Sequence, residues 1–167
     1  MLNSKQFSTI IQLQNELDKK IIINRGVSDI KTLNSRFLAL LVELGEFANE
    51  QRCFKYWSSK PSSEKSVMLE EYIDSLHFIL SIGNSLNIDF QNFSFSEKTN
   101  YQDLNLAFID LFAFVTTLFK SKSSNDFFEL LNIYFTIGKK CNFNSEDIIS
   151  CYIYKNEINH LRQSQNY

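Results

Sequence analysis

Proline occurs once and glycine four times in 167 residues. So few breaks and positive-φ positions speak against the tight hairpins of an all-β fold, against a glycine-rich phosphate loop and against a dinucleotide-binding turn. A helical chain is what remains. No sign of charge dominates: Lys+Arg 17 against Asp+Glu 19 leaves a net charge of −2, so there is no basic footprint for nucleic acid and no direct nucleic-acid binding is expected. Three cysteines, Cys53, Cys141 and Cys151, are far apart and form no CxxC pair, and MLNSKQFSTIIQLQ lacks a charged segment followed by an apolar one. Reduced thiols and a cytoplasmic location are expected. The most apolar stretch, 108–119, is broken by Asp110, Thr116 and Thr117 and is shorter than the roughly 20 residues of a membrane span. No membrane association is expected.

Hydrophobic surface is what the chain has in quantity. Hydrophobic residues make up 44% of it, sixteen of them phenylalanine, more than one small helical core hides. A helix-rich dimer with an apolar interface is expected, each chain a single domain over 1–167.

Phe7, Ile10, Ile11, Leu13, Leu17 and Ile21 follow helical spacing and predict a first helix over 5–23. A second, over 33–56, has apolar residues on nearly every side and is expected to be deeply buried. The segment 57–63, with Pro61 among serines, reads as a loop, and Ser62 or Ser63 is expected to cap a third helix running to about 86. The segment 87–99 reads as a loop with a possible turn of helix. Helices over about 101–120, 126–140 and 145–161 follow, the fifth ending at Gly138 and Asn142. The expected fold is therefore all-α, a bundle of about six main helices with a rigid core and a mobile cap. The polar residues from 161 onward are expected to pack loosely.

The strongest chemical signal is VELGEFANE at 42–50. Glu43 and Glu46 lie three apart, with Glu50 four further on, so the three form one stripe of a helix that is otherwise apolar. Ionised carboxylates in such surroundings are costly unless a cation satisfies them, and between Arg36 and Glu50 no lysine or arginine occurs. The third helix repeats the pattern with Glu71 and Asp74. Antiparallel pairing of the two helices would bring both pairs face to face as an all-oxygen site suited to a hard divalent cation such as Mg²⁺.

The ExxE pair followed after a loop by ExxD resembles the metal motif of the all-α nucleoside triphosphate pyrophosphohydrolases, which include MazG-type enzymes. The blocks VELGEFANEQRCFKYWSSKP, LEEYIDSLHFILSIG and YIYKNEINHLRQSQNY are similar to the dimeric dUTPase family within that group. The resemblance implies a homodimer that hydrolyses dUTP, and dUDP as well, with two or more Mg²⁺ on Glu43, Glu46, Glu71 and Asp74. It implies Gln12, Asn15 and Trp57 as uracil-pocket residues, with Gln14 near them in sequence. His77 and Phe78 would line base and deoxyribose, and Lys155, Asn159, Arg162, Gln163 and Tyr167 would form a phosphate-binding tail. An i, i+3 pair of carboxamides can offer the donor and acceptor that a uracil edge requires. Glu46, with Glu43 beside it, is the candidate for positioning or deprotonating a water. Two alternatives stay open at this point: a related pyrophosphohydrolase for dCTP or damaged nucleotides, and a non-enzymatic helical interaction or regulator-binding protein.

Overall fold

The computed structural model describes residues 2–98 and 101–165; among these it is entirely helical. Six α-helices follow in order: α1 Ser4–Arg25, α2 Asp29–Gln51, α3 Lys65–Ser85, α4 Leu104–Ser121, α5 Ser124–Lys140 and α6 Ser145–Ser164, with one 3-10 turn at Phe90–Asn92. The all-α expectation is met. Polar side chains set most of the starts: Asn3 and Asn144 form capping boxes with Gln6 and Asp147, while Asp103 and Ser123 accept from backbone N–H groups one turn on.

Three expected boundaries move. The second helix stops at Gln51 because Arg52 takes a left-handed conformation at φ 67, and residues 52–56 form turns instead. Neither Ser62 nor Ser63 caps α3; its N-cap is Glu64, without a side-chain cap bond, and Ser63 Oγ donates to Glu50. Gly138 lies within α5 rather than at its end. A Cβ there would stand 2.5 Å from the Tyr72 hydroxyl, so the glycine permits two helices to touch.

Hydrogen bonds between helices give the topology. Ser63 N donates to Glu50 O near one end of the α2–α3 pair, and Arg36 Nη1 donates to Ser81 O near the other, so the two helices are antiparallel. Gln14 faces His77 and Asp18 faces Ser81, which makes α1 parallel to α3. Asn156 donates to Leu13 O, Lys20 to His160 O and Asn24 to Gln163 O, so α6 runs parallel to α1.

The core centres on Tyr72 and Tyr134, stacked at 4.3 Å, with Phe47, Phe108 and Phe143 around them. The most enclosed helix is α5, buried without interruption over 130–138, and not α2 as its composition suggests. The segment 93–98 lies along α5 and is pinned by its own backbone: Ser96 N donates to Asn132 Oδ1 and Lys98 N to Thr136 Oγ1. By contrast α2 leaves Leu38 at 64% and Val42 at 50% exposure, and α4 leaves Leu106, Ile109 and Phe119 exposed. With 18 residues and mean hydropathy 1.4, α4 has the length and composition of a short membrane span; here one face packs on α5 and α2 while the other stays open.

Candidate active site

Two parts of one cleft carry the chemistry. The first is its acid rim. Helical spacing sets Glu43 and Glu46 on one face of α2, and the antiparallel neighbour α3 brings Glu71 opposite. One carboxylate oxygen of each lies within 4.8 Å of the others. Burial first, and then the nearby Asp74, Glu46 and Glu71 carboxylates, push the Glu43 carboxyl up to about 7. The same causes, burial ahead of repulsion from Asp74 and Glu46, raise Glu71. Asp74 is raised by burial as well, yet Lys155 from α6 opposes this with an ion pair at 2.6 Å. Glu50 stands apart because Ser63 Oγ engages it.

The second part is the floor. Behind the rim the cleft continues as a cavity of about 340 Å³ between α1, α2, α3 and α6, lined by Gln14, Asp18, Arg36, His77, Phe78 and Ser81 among others. Its polar atoms form one directed chain. Arg36 Nη1 donates to Ser81 Oγ at 3.0 Å, Ser81 Oγ donates to Asp18 Oδ1 at 2.9 Å, and Gln14 Nε2 donates to the same oxygen at 2.8 Å. Gln14 Oε1 then meets Tyr152 Oη at 2.6 Å and His77 Nδ1 at 2.8 Å. Arg36 is anchored in turn by Asp29 and Thr32. Burial pulls the His77 imidazole down to about 3, so the ring is neutral at any ordinary pH.

The structure brings Glu43, Asp74, His77, Phe78, Asn159, Arg162 and Gln163 to the cleft wall. Lys155 joins them through Asp74. Gln12 and Asn15, in contrast, face outward on α1, and Gln12 Nε2 donates to Glu16. Trp57 is 66% exposed in the α2–α3 loop and packs edge-on against Phe54 and Tyr56 rather than lining the cleft. Tyr167 lies outside the described residues. The tail expected to pack loosely is a regular helix as far as Ser164, docked on α1 by Lys20 and Asn24.

Asp18, Arg36, Ser81 and Tyr152 escaped the sequence reading, and Gln14 was only a neighbour in it. A signal for Gln14 did exist. Phe7, Ile10, Gln14, Leu17 and Ile21 keep the 3–4 residue step of a single helix face, so a polar residue there turns inward with the apolar ones.

An all-helical bundle with clustered carboxylates at the rim of a cleft and a hydrogen-bonded polar floor below them defines an all-α protein with an acidic cleft. Within that class, the family model described as dUTPase matches residues 6–167. The chain belongs to the dUTPase family, and its activity is dUTP hydrolysis. No curated protein matches it.

Proposed function

We propose that the cleft hydrolyses dUTP, and dUDP, in a Mg²⁺-dependent reaction that yields dUMP, with pyrophosphate from the triphosphate and phosphate from the diphosphate. The observation that carries this reading is the carboxylate rim: three acid oxygens within 4.8 Å, at the mouth of a cleft large enough for a nucleoside. An all-oxygen donor set that its own protein leaves largely unneutralised suits a hard divalent cation. Glu43, Glu46, Glu71 and Asp74 would hold it. Bound there, Mg²⁺ would offset the charge of the phosphate chain and would make a water more acidic.

The chain's own residues divide the remaining work. Glu46, the exposed member of the rim, is placed to orient or deprotonate the attacking water, with Glu43 behind it. Lys155 and Arg162 flank the phosphates from α6. Phe78 packs against the sugar, and Gln14 with His77 meets the nucleoside in place of the outward-facing Gln12 and Asn15. No covalent nucleophile takes part: burial raises the Cys151 thiol to about 11 and Cys141 to about 12, which keeps them protonated.

The exposed apolar face of α2 and α4 supports a homodimer. A groove lined by Gly45, Ala48, Phe54, Phe108, Ile109 and Phe112 runs along it. Trp57, held beside this face with Phe54 and Tyr56, belongs with the dimer contact in this reading.

The test is product release across the eight common nucleoside triphosphates with Mg²⁺ and with EDTA. dUTP turnover lost in EDTA is expected. Preference for dCTP or a damaged nucleotide would replace the substrate, and no turnover with any of them would leave a non-enzymatic helical module.

A further inference from the structure

The floor of the cleft contains a hydrogen-bond chain whose direction is dictated end to end. Arg36 has only donors to give, so the Ser81 hydroxyl oxygen accepts from it at 3.0 Å and its proton is released toward Asp18 at 2.9 Å. Asp18 is a carboxylate that also receives Gln14 at 2.8 Å, and only the NH₂ side of the Gln14 amide can donate there. The amide is thereby oriented, with its oxygen toward His77 Nδ1 at 2.8 Å. An amide oxygen opposite Nδ1 requires the proton to sit on Nδ1. Since the ring is neutral, Nε2 carries none. Nε2 is buried and has no partner among the described residues, in a side chain only 6% exposed that lines the cleft. A bare acceptor held in that position looks for an N–H or O–H on whatever fills the cavity.

We infer that Asp18 is a positioning residue for substrate recognition: by orienting the Gln14 amide it fixes His77 as the Nδ1–H tautomer, so that Nε2 accepts a hydrogen bond from the bound nucleoside. This rests on the nucleotide reading for the ligand only. The tautomer itself is a property of the free protein. A nucleoside offers two donors of the required kind, the imide N3–H of the base and the 3′-hydroxyl of the sugar. Removing Asp18 frees the amide to turn, its NH₂ then faces Nδ1, and His77 presents a donor where the nucleoside needs an acceptor.

Nitrogen-15 NMR of the metal-free, nucleotide-free protein reads the tautomer directly. The chain has two histidines, so a His160→Gln variant assigns the spectrum. Unprotonated Nε2 and protonated Nδ1 are expected for His77 in the parent chain; the opposite tautomer there overturns the inference before any further variant is made. Asp18→Ala and Gln14→Met should shift His77 toward Nε2–H, while Asp18→Asn, which keeps an acceptor oxygen, should restore the parent tautomer. If Asp18→Ala folds and leaves the tautomer unchanged, Asp18 does not position the ring.

Kinetics supply the second arm. Asp18→Ala should raise KM for dUTP about tenfold, by more than it lowers kcat, since the lost contact is to the nucleoside and not to the reacting phosphates. With 2′,3′-dideoxy-UTP or with N3-methyl-dUTP, one of the two penalties should vanish and name the donor. A penalty that persists with both analogues overturns the acceptor role even where dUTP is a good substrate.

Discussion

The rim and the floor of one cleft differ in what surrounds their buried carboxylates. On the floor, Asp18 Oδ1 receives Gln14 and Ser81, and the network ends on the Arg36 guanidinium; burial raises the carboxyl and leaves Oδ2 without a partner among the described residues, while these donors and Arg36 pull the other way. At the rim, Glu43 and Glu71 face other acids, and Lys155 forms its ion pair with Asp74 while acting on the other two from farther off. A carboxylate held by donors and a guanidinium fixes geometry, whereas acids that face one another add mutual repulsion to the cost of burial and wait for an external charge. The two regions should therefore answer to different perturbations.

The sharpest break is at the rim. Glu43→Gln or Asp74→Asn should lower kcat/KM for dUTP by at least about 1000-fold, roughly 4 kcal/mol of transition-state stabilisation, while circular dichroism shows unchanged helix content. A loss under about tenfold would remove these acids from the site. Next in size is the floor. Arg36→Met leaves the Ser81 and Ser85 hydroxyl oxygens without the guanidinium donor and Asp29 without its ion pair and should cost about 2–3 kcal/mol in urea unfolding, with or without Mg²⁺.

A smaller effect separates the regions by pH. His77 has its ordinary value of 6.5 in the unfolded chain and about 3 in the folded one. Below pH 6.5 the unfolded chain takes up a proton that the folded protein refuses, so this stability is present above 6.5 and lost as pH falls toward 3. Relative to His77→Gln, the parent should lose about 2 kcal/mol between about pH 7 and pH 4.5. Glu43 acts in the other direction. Its folded value lies above the unfolded 4.5, at about 7, so its cost appears as pH rises through that window. In EDTA near pH 8, Glu43→Gln should then stabilise by about 1 kcal/mol after allowance for solvent screening, and Mg²⁺ should raise the Tm of the parent but not of the variant. Least of all, Asn15→Ala should change stability and dUTP KM within about 0.5 kcal/mol, well below the effect of Gln14→Met one residue away.

Much of this was legible in the amino-acid order. Scarce glycine and proline, helical spacing and the capping residues Asn3 and Asn144 determine an all-α chain, because these signals act within a few residues of each other. The pairs Glu43/Glu46 and Glu71/Asp74 were equally readable, since an i, i+3 spacing places two side chains on one face of any helix. Beyond the antiparallel pairing of α2 with α3, contacts between helices were not. Outward Gln12 and Asn15 differ from inward Gln14 only by a rotation of about 100° per residue around α1, and which face turns in depends on where α3 and α6 pack. Trp57 reads equally well as a pocket residue or a core anchor until the loop at 52–63 takes its path and leaves it exposed. The docking of α6 along α1, the counter-ion Lys155 beside Asp74 and the chain from Arg36 to His77 join residues of different helices 45 to 143 positions apart. No local propensity encodes such register; it follows from the packing of Ile10, Leu76, Ile79 and Tyr152 into a single core, which alone decides which polar atoms meet and which proton His77 carries.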